Sequence, residues 1–164
     1  MVNERVMINI QRGDRCFNHR IAGIVLDENK VLLHRAEGEK FWTFPGGRAE
    51  IGETGEQTLI REIKEELNEN VRVVRLLWVV ENFFQYARKS YHELAFYFLM
   101  QFPEQSQYLD KSRSFTGLED DNYLEFRWFP INSSILADLP LLPAFLQTSL
   151  DKLPELVEHI IQRE

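Results

Sequence analysis

Apolar and polar residues change their spacing several times along this chain, and each change marks an element. Arg5 to Gln11 and Arg20 to Asp27 read as strands, and Asp27-Glu28-Asn29-Lys30 forms a turn into Val31 to His34, a hairpin partner. Val71 to Tyr86 and Tyr91 to Phe102 are rich in branched and aromatic residues, and the short polar Arg88-Lys89-Ser90 between them predicts a second hairpin. Glu125 to Phe129 is a further strand ended by Pro130. Leu141 to Leu150 and Pro154 to Arg163 are expected as helices, with Pro154 placed as a first-turn proline. Another helix follows Thr54, which can N-cap it, while Gln57 completes a T-x-x-Q capping box. The pattern contains no internal repeat, low-complexity segment or obvious linker. A mixed β-sheet flanked by helices follows, an α/β class.

The helix after Thr54 carries the densest chemistry. At about 100° per residue Glu62, Glu65 and Glu66 share one face, and Leu59, Ile60, Ile63 and Leu67 occupy roughly the opposite one. This predicts a helix buried on one side and acidic on the other. Like charges at these spacings cost roughly 0.2–0.5 kcal/mol per pair, which a divalent cation would remove. Pro45-Gly46-Gly47 just upstream lets the main chain approach a ligand. From Gly47 the pattern reads G-x5-E-x7-R-E-U-x-E-E, with U apolar, fixing Gly47, Glu53, Arg61, Glu62, Ile63, Glu65 and Glu66 at set spacing.

That pattern resembles the signature of the Nudix hydrolases, in a MutT-like box from Gly47 to Glu66, and Phe41-Trp42-Thr43-Phe44-Pro45-Gly46 is similar to the family's approach to it. Where the family continues x-G-U, this chain has Leu67-Asn68-Glu69. Asn commonly replaces Gly in the left-handed conformation that ends a helix. Glu69 suggests an exit displaced by a residue or two. The resemblance implies a Nudix-type α/β/α sandwich in which the box forms a loop, helix and loop against the sheet, with residues 1–164 as a single domain.

Composition agrees with a small enzyme. In 164 residues, 44% apolar content with 12 Phe and 3 Trp can build a substantial core. The net charge of -7 and the lack of any Lys/Arg run argue against a nucleic-acid partner. An acidic site accepts polyphosphates only where metal ions intervene. The lone Cys16 excludes an intrachain disulfide and fits a reducing compartment. The N-terminus lacks a signal-peptide core, and the longest apolar run, Leu94 to Met100, is too short for a membrane span. A cytoplasmic protein with no membrane partner is expected, and a homodimer is compatible with this reading.

Gln105 to Asn122 is less regular and acidic, and reads as a mobile loop. Nudix enzymes similar to this chain often draw an extra metal ligand or base from a loop before the last sheet strand, which singles out Glu119. Glu81 and Glu93 interrupt apolar strands, and a hairpin centred near Arg88 would bring them close, where two carboxylates repel unless a cation or proton intervenes. Glu93 is therefore a candidate beside substrate or metal, and His92 is read as structural. Phe17, Phe83, Phe84, Tyr86 and Tyr91 either stack on a base or build core.

A diphosphate repels an attacking water until Mg²⁺ or Mn²⁺ neutralises it, and hard oxygen ligands suit these ions. Glu62, Glu65 and Glu66 are assigned as the metal cage, with the Gly46 carbonyl as a backbone ligand implied by the resemblance. Arg61 is expected to pair with Glu53 and brace the loop-helix junction, and Glu62 is also placed to act as base. The expected reaction is metal-dependent, pyrophosphohydrolase-type cleavage of a nucleoside diphosphate linked to a further group, by water attack at phosphorus. A catalytically idle, nucleotide-binding sensor is the alternative, and its mark would be loss of box carboxylates.

Overall fold

A computed structural model describes residues 4–164. Its strands fall into two sheets. In the first, β1 (Asn9–Arg12), β2 (Arg15–Ile24), β7 (Lys89–Gln101), β6 (Arg72–Tyr86) and β10 (Glu158–Arg163) lie side by side in that order, and β5 (Gly46–Arg48) pairs with β2. The second runs β3 (Leu26–Asp27), β4 (Lys30–Ala36), β9 (Asn122–Pro130) and β8 (Phe115–Glu119). The β2–β7 and β6–β10 pairs are parallel and the other pairs antiparallel, giving the expected mixed sheet.

Both expected hairpins form. Glu28 and Asn29 between β3 and β4, and Ala87 and Arg88 between β6 and β7, have φ of 48° and 58°, and 48° and 64°. Positive φ at both loop positions is what a two-residue hairpin needs to match strand twist.

α1 (Gly55–Leu67) starts at the predicted capping box, with Gln57 N–H donating to Thr54 Oγ1 at 3.2 Å and Thr54 N–H to Gln57 Oε1 at 2.9 Å. It ends at Asn68, whose φ of 52° is left-handed and whose N–H bonds the Lys64 carbonyl at 3.0 Å. The displaced exit suggested by Glu69 is not formed, because Asn68 takes the cap itself. Leu59, Ile63 and Leu67 join α1 to Ile21, Phe98 and Met100 of the first sheet and to Leu32, Phe126 and Trp128 of the second. Each such fully buried side chain contributes about 1.5–3 kcal/mol. A second cluster, with Ala22, Trp78, Val80, Ala95 and Tyr97, packs the opposite face of the first sheet on Leu33, Trp42, Phe44 and Leu146.

Several further sequence expectations fail. The span 154–163 is not a helix: Glu158–Arg163 is the strand β10, parallel to β6. Its apolar residues fit either period, and the long free edge of β6 decided the matter by offering backbone partners. Of Leu141 to Leu150 only α3 (Leu146–Ser149) is helical, since Pro143 disfavours a helix at the residue before it and supplies no N–H. Another short helix, α2 (Ser133–Asp138), was not anticipated. Gln105 to Asn122 is not one irregular loop: a Ser106-capped 3-10 turn (Gln107–Leu109) precedes β8, which pairs with β9. β1 is also displaced toward the C-terminus, and Met7 makes only an isolated bridge to Glu50.

Candidate functional site

The site grows from the contact between β5 and α1. At Gly46, φ is 141° and a Cβ would strike the backbone of Ile21 and Ala22 on β2; at Gly47 a Cβ would strike the carboxyl group of Glu62. Two glycines therefore let the helix lay Glu62 directly on the strand. This reverses part of the helical-wheel reading. Glu62 and Glu66 are 8% and 5% exposed and lie on the buried face, whereas Ile60 is 43% exposed. The apolar stripe of α1 is narrower than expected because the sheet edge accepts carboxylates beside Leu59 and Ile63.

Arg61 braces the junction. Its Nε and Nη2 donate to the two oxygens of Glu53 at 2.7 and 2.8 Å, Nη1 to Glu62 at 2.7 Å, and Nη2 to the Arg48 carbonyl at 3.1 Å. Hydrogen bonds from Arg61, with further help from Thr58, hold the Glu53 carboxyl down to about 2. Arg61 itself is pushed above its ordinary value, chiefly by Glu53. Glu65 is exposed and meets Arg5 at 2.9 Å and Arg61 at 3.4 Å. Arg5 also pairs with Glu50.

Glu66 is different. Both carboxyl oxygens are buried without a hydrogen-bond partner. Burial first, then the charges of Glu119 and Glu62, push its carboxyl well above the usual range. Glu62 is also raised, chiefly by burial, although Arg61 opposes the rise. The neighbour facing Glu66 gives no relief: His34 Nδ1 stands 4.0 Å away and, desolvated and beside Arg20, is held neutral with its pKa near 3. A buried, unpartnered carboxylate flanked by two others fits the donor set of a hard divalent ion. Among the described residues, no three His, Cys, Asp or Glu side chains converge as a cage. Arg61 pairs with Glu62 and Arg5 with Glu65, and Glu66 has no such arginine contact.

A cavity of about 690 Å³ opens beside these groups, within the range of small-molecule sites. Gly46, Arg20, His34 and Glu119 line it, as do Glu93, Asn82, Phe84 and Tyr86, whereas Glu62, Glu65 and Glu66 do not. Glu119 thus comes to the site from the end of β8 rather than from a loop. Glu93 is 7% exposed. The expected Glu81–Glu93 approach does not occur: Glu81 pairs with Leu94 and Glu93 with Asn82, so strand alternation puts the two carboxylates on opposite faces. Glu81 instead meets His159 at 2.9 Å. Phe83 stacks on His92, and Phe17 meets the same ring edge-on, away from the cavity lining. Sequence reasoning missed Arg20, His34, Asn18, Asn82 and Glu50. Arg20 and Asn82 did carry a signal, as polar residues inside apolar strands.

No helix is long and apolar enough to cross a membrane, among the described residues. The chain is 38% identical over 71 residues to the 8-oxo-dGTP diphosphatase of Proteus vulgaris, covering 40% of this chain and 63% of that one. It is 39% identical over 66 residues to the RNA pyrophosphohydrolase of Erwinia tasmaniensis, covering 39% of this chain and 38% of that one. It thus spans 30% to 63% of the length of the curated relatives it matches. Among solved structures, the MutT protein of Methanosarcina mazei superposes with TM-score 0.57 at 17% identity, over 83% of this chain and 91% of that one, a likeness of fold alone. A UDP-X diphosphatase gives 0.51 at 25% identity, over 70% and 51%. The NUDIX domain model matches residues 17–147, the span that contains β5, α1, both sheets' central strands and the carboxylates around Gly47, and the chain belongs to the Nudix family.

Proposed function

We propose that this chain, acting as one Nudix hydrolase domain over residues 1–164, hydrolyses a diphosphate bond in a nucleoside diphosphate linked to another group, with water attacking phosphorus. The observation that carries the reading is Glu66, whose buried carboxyl oxygens have no partner while Glu62 and Glu119 add charge beside it. Glu62, Glu65 and Glu66, the Gly46 carbonyl and Glu119 are the groups that would hold Mg²⁺ or Mn²⁺. When bound, such an ion supplies charge neutralisation at the diphosphate oxygens. Arg61 orients Glu62 and, through Glu53, fixes the β5–α1 junction. Glu62 and Glu119 are the carboxylates that would accept a proton from the attacking water. Arg20, on the cavity wall, offers a cation to a phosphate group. Glu93 lines the same cavity, where it would contact the rest of the substrate.

The test is formation of the nucleoside monophosphate from a panel of nucleoside diphosphate compounds with Mg²⁺ or Mn²⁺ and with excess EDTA. Turnover that needs the ion is expected. Undiminished hydrolysis in EDTA would overturn the metal assignment, and tight binding without turnover of any compound would favour a nucleotide sensor.

A further inference from the structure

The registers of the first sheet align its side chains in rows. Asn18 pairs with Glu93, and Glu93 with Asn82, so three polar side chains stand side by side across β2, β7 and β6. The adjoining row on one side is Arg20, Ala95 and Val80, and on the other Cys16, Tyr91 and Phe84. The polar row is buried, at 5%, 7% and 5% exposed for Asn18, Glu93 and Asn82. Asn18 Nδ2 donates to Glu93 Oε2 at 2.8 Å, and the Oδ1 atoms of Asn18 and Asn82 are buried without a partner. Strand interiors favour apolar side chains, so a buried polar row that opens on a cavity calls for a polar ligand. Glu93 and Asn82 both line the cavity, and with its Oδ1 buried Asn82 has Nδ2 as the end that a ligand can meet.

The chemistry of the row selects the ligand. A carboxylate only accepts, and its two oxygens suit a pair of parallel N–H groups from one planar partner. The Asn82 amide beside it supplies a donor for a carbonyl oxygen. Guanine carries that sequence on one edge: a carbonyl, then a ring N–H, then an exocyclic amino group. Adenine and cytosine put an acceptor nitrogen next to the amino group, and uracil has one N–H between two carbonyls. Phe84, stacked on Tyr91 with ring centroids 5.0 Å apart, flanks the row, and Tyr86 lies edge-on to Phe41 at the cavity wall.

We propose that Glu93, oriented by Asn18, and Asn82 form a specificity pair for the guanine edge of a nucleotide. The proposal rests on the nucleoside diphosphate reading of the same site and adds which base it takes. Calorimetric binding of GDP, ADP, CDP and UDP to the intact protein with Mg²⁺ tests it, alongside hydrolysis of diphosphate compounds of the same four bases. GDP is expected to bind about tenfold or more tightly than the others. Glu93→Gln should bring GDP to the affinity of ADP. Should that variant melt well below wild type, Asn82→Asp, which sets an acceptor against the carbonyl, should produce the same loss of preference. Equal affinities for the four, or a guanine preference that survives in a folded Glu93 or Asn82 variant, would overturn the inference. Hydrolysis indifferent to base would also sink it while leaving the proposed reaction standing. A guanine preference in binding without turnover would support the pair and remove the hydrolase reading.

Discussion

Gly47→Ala separates the geometry of the site from the stability of the fold. The conformation of Gly47 does not demand glycine, so the cost of the added methyl is steric: it would meet the carboxyl carbon and both oxygens of Glu62. The end of a side chain can move where backbone cannot. Glu62 would turn away, giving up its 2.7 Å bond from Arg61, a charge-assisted contact that contributes about 1.5–3 kcal/mol in a partly buried setting. A displacement on the order of 1 Å at a catalytic group costs about a hundredfold in rate, or about 2.7 kcal/mol of transition-state stabilisation. The expected result is a loss of that order in kcat/KM in a protein that still folds, with a thermal midpoint lowered by about 3–12 °C. Gly46→Ala supplies the contrast, because its Cβ would strike the Ile21 carbonyl and its φ of 141° is closed to alanine; it should unfold the protein instead. Steady-state formation of the nucleoside monophosphate and circular-dichroism melting measure both. A Gly47→Ala protein with wild-type kcat/KM would refute the view that Glu62 must lie on the strand.

Glu66→Gln should lower turnover by orders of magnitude and leave the metal-free melting temperature unchanged or raised, since it removes a buried carboxyl that has no partner; a melt lowered by many degrees would count against this. Glu53 supplies a pH prediction. Its folded pKa is depressed from 4.5 to about 2, so its stabilisation is present above pH 4.5 and is lost as pH falls through 2. With solvent screening this amounts to about 1–2 kcal/mol. Urea unfolding of wild type and Glu53→Gln between pH 6 and pH 3 should show the gap narrowing with acid, and a gap that is constant or widens would refute the pairing. Arg61→Lys keeps the charge but not the two-pronged contact with Glu53, and should lose about 1–3 kcal/mol in the same unfolding experiment. Stability equal to wild type would show that the fork contributes nothing.

Local chemistry in the sequence determined the elements with strong punctuation. Thr54 and Gln57 start α1 and Asn68 ends it because capping groups act within a few residues of one another, and the hairpin turn at Glu28-Asn29 follows for the same reason, while the second turn forms at Ala87-Arg88, one residue ahead of the polar Arg88-Lys89-Ser90 that marked it. The spacing of Gly47, Glu53, Arg61, Glu62 and Glu66 likewise announced a site, and the Arg61–Glu53 brace was legible from it. What the sequence left open depended on partners far away in the chain. Period alone could not tell that Glu158–Arg163 would be a strand, since only the free edge of β6 makes it one. A helical wheel placed Glu62 and Glu66 opposite the apolar residues, but the glycine-lined strand β5 accepts them and turns them inward. Register, which pairs residues dozens of positions apart, put Glu81 and Glu93 on opposite faces and assembled Asn18, Glu93 and Asn82 into one row. Those contacts are long-range, and no local pattern encodes them.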